Sequence, residues 1–345
     1  MTLKRVAEIA GVSHTTVSLV INNVKGSRVS QGTRDRVLQT IKKLDYKPNL
    51  TAKRLASGKT SSIGLFIPFE MPIFRNYTII EMVAGIQDVL NEKGFDLVLF
   101  SGGRNLFRNR PINQIVRQNT VDGLIIFNTR YTTSNFVKNY IRILEELKFN
   151  FVILHYFWGE ANVNYIGVDY ENDAYKAISY LISLGHKNIA MIAGPLRAAV
   201  TSKIKIGCKR ALEDNKISTK NYTIVYADYD YQMAYELTRK IIKKNPLITS
   251  FFVGGYEMAP ACLKAAKDLG LKIPKDISII SYVDSEMMPL LDPPLTAIKL
   301  PYYEMGKKAA EIIVQGDPER KRFIFETELV IRETTSTIQH SRMQK

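Results

Sequence analysis

The chain has 345 residues, 46% of them hydrophobic, and its 48 lysines and arginines against 33 acidic side chains give a formal net charge of +15. This length and apolar content suffice for two or three domain cores. They exclude a small disulfide-stapled protein, because only Cys208 and Cys262 are present, both in helix-like segments where we expect buried, reduced thiols. No apolar run approaches the roughly 20 residues of a membrane span. Since a helical pattern starts at residue 2, we expect no export signal and a cytoplasmic location.

The first predicted elements are two short helices separated by a tight turn, in the run LKRVAEIAGVSHTTVSLVIN (3–22). Gly11 opens the turn, where a left-handed backbone costs little without a Cβ, and Ser13 stands where the N-cap of the second helix belongs. Helical spacing gives each helix one apolar face, with Val12 in the turn. The residues of these faces are Val6, Ala7, Ala10, Val17 and Val20. This is the helix-turn-helix pattern, whose second helix enters the DNA major groove; the alternative is an ordinary helical hairpin.

Most of the positive charge lies beside these helices. Residues 1–60 contain twelve basic and three acidic side chains, an excess of nine, whereas the other 285 residues have an excess of only six. A charge imbalance concentrated in one small segment is the electrostatic signature of a polyanionic partner. A solvated basic surface without a partner would not explain why the excess lies next to a helix-turn-helix. We therefore expect double-stranded DNA as a partner and a nucleoid-associated protein.

A third helix is predicted from about Thr33 to Leu44, with Ser30 as its N-cap. Pro48 then ends the helical region, because proline disfavours the helical backbone at the residue before it. The next run, LTAKRLASGKT (50–60), has few large apolar side chains, so we expect it to order only on a partner. The residues of the third helix expected in the core of this small domain are Val37, Leu38, Ile41 and Leu44.

From residue 62 onward, short apolar runs rich in β-branched residues alternate with longer amphipathic runs. This alternation predicts parallel sheets with helices on both faces. The predicted strands are 63–69, 96–101, 123–128, 151–156, 165–169, 188–194, 223–228, 250–255, 277–283 and 296–300, and the predicted helices are 79–93, 171–184, 203–215, 231–244 and 258–269. A break near residues 157–163 indicates two sheets and therefore two lobes. Ligands of such folds bind beyond the carboxyl ends of the strands, here in the cleft between the lobes.

Several segments, covering nearly the whole chain, resemble the LacI/GalR family of bacterial transcription regulators. They are TLKRVAEIAGVSHTTVSLVINN (2–23), residues 29–68 with KKLDY and AKRLASGKTSSIGLFIP, VDYENDAYKAISYLISLGHKNIAMIAGP (168–195), GLKIPKDISII (270–280) and DPPLTAIKLPYYEMGKKA (292–309). The resemblance implies an α/β fold: an all-α helix-turn-helix headpiece and a two-lobed, periplasmic-binding-protein-like body with parallel sheets. It also implies a homodimer on a palindromic operator, controlled by a small-molecule effector, with repression as the usual outcome.

The resemblance further implies lobes that are discontinuous in sequence, because the last crossings return to the first lobe. We expect a headpiece at 1–48, a hinge helix and linker at 49–60, an effector-binding and dimerisation domain at 61–335 and a tail at 336–345. Lobe one is expected at about 61–159 and 296–323, and lobe two at about 160–292 and 324–335.

By family position, the second helix carries the residues that read bases. His14, Thr15 and Ser18 are expected to face base edges, where threonine can form hydrogen bonds and its methyl group can touch a thymine methyl. Leu19 stands where relatives often have a guanine-reading arginine, so only apolar contact is expected there. A surface histidine without a role is the alternative for His14. The residues expected to hold phosphates or to complete the interface are Ser13, Thr16, Asn22, Thr2, Thr33 and Asn49.

The hinge is the second element expected to contact DNA. In the family, paired hinge helices enter the minor groove and a leucine wedges into the central base step. Leu55 matches that leucine, with Ala52 beside it and Lys53 and Arg54 near phosphates. The alternative is that Leu55 only packs against the body. Because the hinge would order on DNA, a change in lobe spacing would alter DNA affinity.

The expected effector cleft departs from the sugar-binding pattern of the family. His155, Ile204, the pair Gly255 and Tyr256, and Val283 replace four polar groups of that pattern. Asp284 remains at the second position of its pair, Lys205 flanks Ile204, and Asn128 ends a strand at the cleft. Aromatic side chains are plentiful around the expected cleft, although plain packing is the alternative for each: Phe74, Tyr131, Tyr156, Trp158, Tyr229, Tyr256 and Tyr302.

A cleft that lacks these polar groups does not suit a plain hexose. We expect a carbohydrate-related ligand that is less hydroxylated or that stacks on aromatic rings. The alternatives are a weakened site, or a phosphoprotein co-regulator that binds the outer surface instead of a ligand in the cleft.

Two other classes of protein fit the sequence less well. Asp169, Asp228 and Asp284 end strands as catalytic residues would, but no nucleophile elbow, metal-ligand spacing or phosphate loop accompanies them. We therefore expect no enzyme, no cofactor and no metal. An exported solute receptor would share the two lobes but not the helix-turn-helix. Since the residues after Glu333 are polar and too few for a coiled coil, we expect a dimer, with helices and strands of the first lobe, including 79–93, and the second lobe in its interface.

Overall fold

The computed structural model describes residues 2–21, 26–46, 59–67, 74, 76–101, 112–128, 134–155, 162–316 and 320–338. The chain divides into two compact units, Met1–Ser61 and Ser62–Lys345. We call them the headpiece and the body.

The headpiece contains three helices whose ends are set by capping residues: α1 (Leu3–Ala10), α2 (His14–Ile21) and α3 (Gln31–Lys43). Gly11 ends α1 in the left-handed conformation, with φ 65°. The Ser13 hydroxyl accepts a hydrogen bond from the backbone N–H of Thr16 at 3.1 Å, and the Ser30 hydroxyl accepts one from the N–H of Thr33 at 3.3 Å. The predicted turn and both predicted N-caps are confirmed.

A small apolar core holds these helices together. The sequence pattern places Leu38 in this core, which is wrong, because Leu38 follows the buried Val37 directly and is directed to the outer side of α3, where it is 47% exposed. Tyr46 is a core residue that the pattern does not predict. The buried residues of the core are Val6, Ala7, Ala10, Val17, Val20, Val37 and Tyr46.

The body is built on two six-stranded sheets. The strands are β1 (Ser62–Ile67), β2 (Asp96–Ser101), β3 (Gly123–Asn128), β4 (Phe151–His155), β5 (Tyr165–Val168), β6 (Ile189–Ala193), β7 (Tyr222–Tyr226), β8 (Ser250–Val253), β9 (Ser278–Tyr282), β10 (Thr296–Lys299), β11 (Arg322–Phe325) and β12 (Glu328–Val330). The first sheet has the parallel order β11-β5-β4-β3-β1-β2. The second has the order β12-β10-β9-β8-β6-β7, in which β12 pairs antiparallel with β10 and the other neighbours are parallel. The central strands are buried on both faces, as their continuous apolar runs predict.

Helices cover the sheets and give each lobe its core. They are α4 (Tyr77–Lys93), α5 (Ile112–Arg117), α6 (Ser134–Glu146), α7 (Tyr170–Ser183), α8 (Ala199–Asp214), α9 (Tyr231–Lys244), α10 (Ala259–Asp268) and α11 (Tyr302–Gln315). Lobe one comprises the first sheet with α4, α5, α6 and α11, and lobe two the second sheet with α7 to α10. Two glycines let α4 and α11 touch backbone to backbone. A Cβ on Gly306 would overlap the Met82 carbonyl oxygen, and one on Gly85 would overlap that of Tyr303.

The chain crosses between the sheets at other points than the expected lobe boundaries. Strand β5, expected in lobe two, pairs with β4 in the first sheet, so the first crossing follows residue 168. Strand β10, expected in lobe one, pairs with β9 in the second sheet, so the second crossing is at 300–301. The third crossing is at 326–327, between β11 and β12. The expected boundaries are wrong here because an apolar run predicts a strand but not the sheet that receives it.

Both cysteines are free and buried, Cys208 in α8 and Cys262 in α10, as the sequence predicts. Burial raises the pKa of each thiol to about 12, which keeps it protonated and unreactive. Within the described ranges, no helix combines the length and the apolar character needed to cross a bilayer.

Candidate functional site

The second helix of the headpiece presents a polar face above its buried face. Val17 and Val20 are buried, whereas His14 and Thr15 in the first turn are exposed. Ser18 and Leu19 are half-buried one turn further along. The four residues predicted to meet base edges therefore lie outside the buried valine face of α2. The first turn of the helix is the part most accessible to DNA.

The hydroxyl residues predicted to hold phosphates lie at helix starts. Ser13 caps α2, and its hydroxyl is 2.9 Å from that of Thr16. Thr2 caps α1 by accepting a hydrogen bond from the N–H of Arg5, and Thr33 lies 3.0 Å from the Ser30 hydroxyl at the start of α3. Each of the three helices thus presents its N-terminal end, with partial positive charge, beside a residue predicted to contact DNA. The predicted contacts thus share a position at a helix N-terminus, which residue types alone do not show.

Six predicted DNA contacts lie outside the described residues. They are Asn22, Asn49, Ala52, Lys53, Arg54 and Leu55. The hinge wedge therefore stays a prediction.

In the body, two predicted ligand contacts end adjacent strands of lobe one. Asn128 is fully buried at the end of β3, and its side-chain oxygen accepts a hydrogen bond from Tyr140. His155 ends β4 with φ 83°, a conformation uncommon for a residue with a Cβ, and is 3% exposed. Its ring stacks on Phe127 at 5.1 Å and meets the edge of Tyr302 at 5.7 Å. The strand ends of this lobe at the cleft are therefore surrounded by aromatic rings, and the side-chain oxygen of Asn128 already accepts a hydrogen bond from Tyr140.

Across the cleft, Tyr229 explains why Gly255 stands where relatives have a polar residue. The Tyr229 ring lies against the backbones of Gly194 and Gly255, and a Cβ on Gly255 would be 2.8 Å from the Tyr229 Cδ1 atom. Tyr229 itself has φ 61°, which directs its ring over these glycines. The ring thus fills the space that a side chain at position 255 would need, so an aromatic surface replaces an amide.

Tyr256 bridges the two lobes. Its hydroxyl accepts a hydrogen bond from the backbone N–H of Tyr77 at 3.2 Å, and the two rings meet edge to face at 5.9 Å. The pKa of Tyr77 is raised to about 12 by burial and by the nearby carboxylates of Glu81 and Glu286. Burial, with Glu257 nearby, also raises the pKa of Tyr302. These phenols stay protonated, so the cleft offers hydroxyl donors and aromatic faces.

Four other predicted cleft residues have different surroundings from those expected. Ile204 and Val283 are buried in the apolar core of the body. The Lys205 ammonium donates to the Tyr226 hydroxyl at 3.0 Å. Asp284 accepts two hydrogen bonds from the Arg332 guanidinium, at 2.9 and 2.6 Å, and one from the N–H of Ser285 at 3.0 Å. A carboxylate held in this way is part of an internal ion pair, and a ligand contact by Asp284 stays a prediction.

Phe74 lies at a groove on the side of lobe one. It is 71% exposed and lines a groove of about 610 Å³ between α4 and the edge strand β2, along the side of lobe one. Tyr131, Tyr156 and Trp158 lie outside the described residues. The predicted site that the structure brings together thus reduces to His155 and Tyr302 from lobe one and to Tyr229, Gly255 and Tyr256 from lobe two.

The sequence matches two known protein families in succession. Residues 2–49 match the bacterial regulatory proteins of the lacI family, and residues 178–335 match a periplasmic binding protein-like domain. Catabolite control protein A of Priestia megaterium is 31% identical over 316 residues, which are 91% of this chain and 92% of that protein. The chain belongs to the LacI family.

Other relatives also match over nine tenths or more of the chain. The HTH-type transcriptional repressor PurR of Proteus mirabilis (strain HI4320) is 31% identical over 317 residues, 91% of this chain and 89% of that protein. A crystal structure of the Lac repressor dimer bound to operator and the anti-inducer ONPF has a TM-score of 0.83 at 26% identity, covering 97% of this chain and 99% of that one. The complex of the transcriptional regulator CelR with cellobiose has a TM-score of 0.69 at 27% identity, with the same coverage.

Membership confirms the predicted family and fold class. The protein is a LacI-family DNA-binding transcriptional regulator, with a helix-turn-helix headpiece and a periplasmic-binding-protein-like body. The family consists of transcription regulators rather than enzymes.

Proposed function

We propose that this LacI-family regulator is a repressor that binds a palindromic operator as a homodimer and is switched by a small molecule in the interlobe cleft. The observation that carries the proposal is the exposed first turn of α2, with His14 and Thr15, next to three capped helix starts in a strongly basic segment. Operator DNA would be read by His14, Thr15 and Ser18, with apolar contact from Leu19. The proposed function implies a cytoplasmic, nucleoid-associated protein.

The groove between α4 and β2 supports a dimer. Its lining is mostly apolar, it includes the exposed Phe74 and Ile80, and it borders β2, the last strand in the order of the first sheet. We assign a second copy of the chain as its occupant, since the similar Lac repressor is a dimer on its operator. This assignment agrees with the expected role of residues 79–93.

The cleft supports a carbohydrate-related effector that is not a plain hexose. Tyr229, Tyr256 and Tyr302 supply rings that can cover the apolar face of a sugar or an aromatic aglycone, and their hydroxyls can bind its polar groups. Asp284 is engaged by Arg332, which removes a carboxylate that would bind two sugar hydroxyls. CelR in complex with cellobiose is a relative whose ligand is larger than a hexose.

A phosphoprotein co-regulator on the outer surface has weaker support. The outer groove between α4 and α11 is lined by the carboxylates of Asp88, Glu92 and Glu311 beside Lys93 and Lys307. Those carboxylates would repel a phosphoryl group, since like charges at close range disfavour binding.

Two measurements test the proposal. A thermal-shift screen against plain hexoses, disaccharides, sugar phosphates, nucleosides and aromatic glycosides should give a shift with disaccharides or aromatic glycosides, because a specific ligand stabilises the folded state by RT ln(1 + [L]/Kd). Selection of bound sequences from a random DNA pool should return a palindrome. A shift with plain hexoses would refute the effector assignment, and enrichment of no sequence would refute the operator assignment.

A further inference from the structure

A buried carboxylate lies beside the crossings between the two lobes. Asp173 lies in the first turn of α7, just after the first crossing, and is 3% exposed. Its Oδ2 atom accepts a hydrogen bond from the Tyr282 hydroxyl at 3.1 Å, and its Oδ1 atom accepts one from the Thr327 hydroxyl. Tyr282 ends β9, and Thr327 lies in the third crossing. One side chain of lobe two therefore holds the segment through which the chain leaves lobe one.

The surroundings of Asp173 are aromatic and lack a partner cation. The Tyr170 ring lies 6.2 Å from that of Tyr282 and 6.2 Å from that of His155. Among the described lysines and arginines none forms an ion pair with Asp173, and Lys176 on the same helix acts only from a distance. The other charged neighbour is Asp169, the exposed N-cap of α7. Two hydroxyl groups are thus the direct partners of this buried carboxylate.

We propose that Asp173, Tyr282 and Thr327 form a proton-sensitive clasp that couples the arrangement of the two lobes to pH. Asp173 and Tyr282 lie in lobe two, and Thr327 lies in the crossing between β11 of lobe one and β12 of lobe two, so rotation of the lobes about this crossing changes the position of the Thr327 hydroxyl. Loss of Thr327 removes one donor from the carboxylate and opens it to water. The carboxyl group is therefore buried in the clasped arrangement and hydrated in the opened one.

The direction of the coupling follows from burial. Desolvation raises the pKa of Asp173 from 3.8 to about 6, against the lowering effect of the two hydroxyl hydrogen bonds. A hydrated carboxyl has an ordinary pKa, so the clasped arrangement takes up a proton more readily than the opened one. Acidification favours the clasped arrangement, and the ratio of clasped to opened molecules should rise about tenfold between pH 7.5 and pH 5.

Hydrogen exchange measures this ratio even when opened molecules are rare. In the full-length protein, we expect the protection factors of the amides in residues 326–328, at the third crossing, corrected for intrinsic exchange, to rise about tenfold from pH 7.5 to pH 5. Asp173→Asn keeps the size of the side chain but cannot titrate. The protection factors of this variant should therefore not show the tenfold rise between pH 7.5 and pH 5. Asp214→Asn, which removes an exposed carboxylate of α8, should behave like the wild type.

A further variant separates the clasp from general stability. Thr327→Val removes a hydroxyl that lowers the pKa of Asp173, so the midpoint of the pH dependence should move to higher pH. Unchanged pH dependence in Asp173→Asn, or a wild-type protection factor that does not rise on acidification, would overturn the clasp. The measurement needs neither operator nor effector, so its failure would leave the proposed function intact.

Discussion

At the scale of single residues, the exposed first turn of α2 decides which side chains can read DNA. His14 and Thr15 have their side chains in solvent, whereas the neighbouring valines anchor the helix from below. Removal of such a side chain should affect the choice of sequence without disturbing the fold. The sequence pattern predicts this division fully, because a helix on a small core has a fixed periodicity.

Replacing His14 and Thr15 by alanine together should weaken binding to the selected operator about 5- to 150-fold, since loss of one good base contact costs about 1–3 kcal/mol. Binding to random DNA should change little, because it depends on phosphate contacts. Fluorescence anisotropy at fixed salt measures both. Gln39→Ala, on the exposed side of α3, is the control. Equal losses on both DNAs would contradict a base-reading role.

The lobe-bridging hydroxyl of Tyr256 can be tested in the same way. Tyr256→Phe keeps the ring packed on Tyr77 but removes the hydrogen bond to its backbone N–H. We expect the free energy of unfolding of the body to fall by about 0.5–1.5 kcal/mol, measured by thermal or urea denaturation. Tyr231→Phe, at an exposed tyrosine, should cause no change. An equal effect of both substitutions would show that the bridge contributes nothing specific.

At the scale of elements, lobe one depends on the close contact between α4 and α11. Gly85 and Gly306 face each other's helices, and a methyl group on either would overlap a backbone carbonyl. Backbone atoms cannot rotate away as a flexible side chain can. The helices must therefore separate or the sheet beneath them must shift.

Gly306→Ala should lower the free energy of unfolding of the body by about 1–3 kcal/mol, because overpacking outweighs the gain in helix propensity. Gly32→Ala provides the contrast: it lies on α3, no atom lies within 4 Å of the added Cβ, and this change should not destabilise the protein. Thermal denaturation followed by circular dichroism compares the two variants. A neutral Gly306→Ala variant would contradict the close contact.

At the scale of the whole molecule, buried polar side chains join segments that are distant in sequence. His186 is 2% exposed; its Nδ1 atom lies 2.9 Å from the Thr249 hydroxyl and its Nε2 atom 3.0 Å from the Ser278 hydroxyl and 3.1 Å from the Ser336 carbonyl oxygen. It therefore links the segment before β6 to the starts of β8 and β9 and to the C-terminal segment. Burial lowers the pKa of this imidazole below its ordinary value of 6.5.

This shift gives a pH dependence with a definite sign. Below pH 6.5 the unfolded chain binds a proton at residue 186 before the folded chain does, so the stability that His186 contributes is present above pH 6.5 and is lost as the pH falls. We expect the melting temperature of the wild type to fall more steeply between pH 7 and pH 5 than that of His186→Asn. Parallel curves would show that His186 does not titrate in this range.

The sequence predicts the strands better than it predicts their partners. All ten predicted strands are present, since continuous apolar runs bounded by turns are typical of buried parallel strands. Strands β11 and β12 escape prediction because they lie at sheet edges and are only partly buried. Strands β5 and β10 are assigned to the wrong lobe, because hydrogen bonding between strands is a long-range choice that no local pattern records.

By itself the sequence determined the helix-turn-helix, its caps and its basic charge, because helix periodicity, capping and charge are local properties of a chain. It also determined the family and the α/β body. Only the tertiary structure decided that Asp284 binds Arg332, that the Tyr229 ring lies over Gly255, and that Asp173 meets Thr327 across 154 residues of chain. These contacts depend on where separate strands and crossings end in space. Polar groups that are buried together there must form hydrogen bonds with one another.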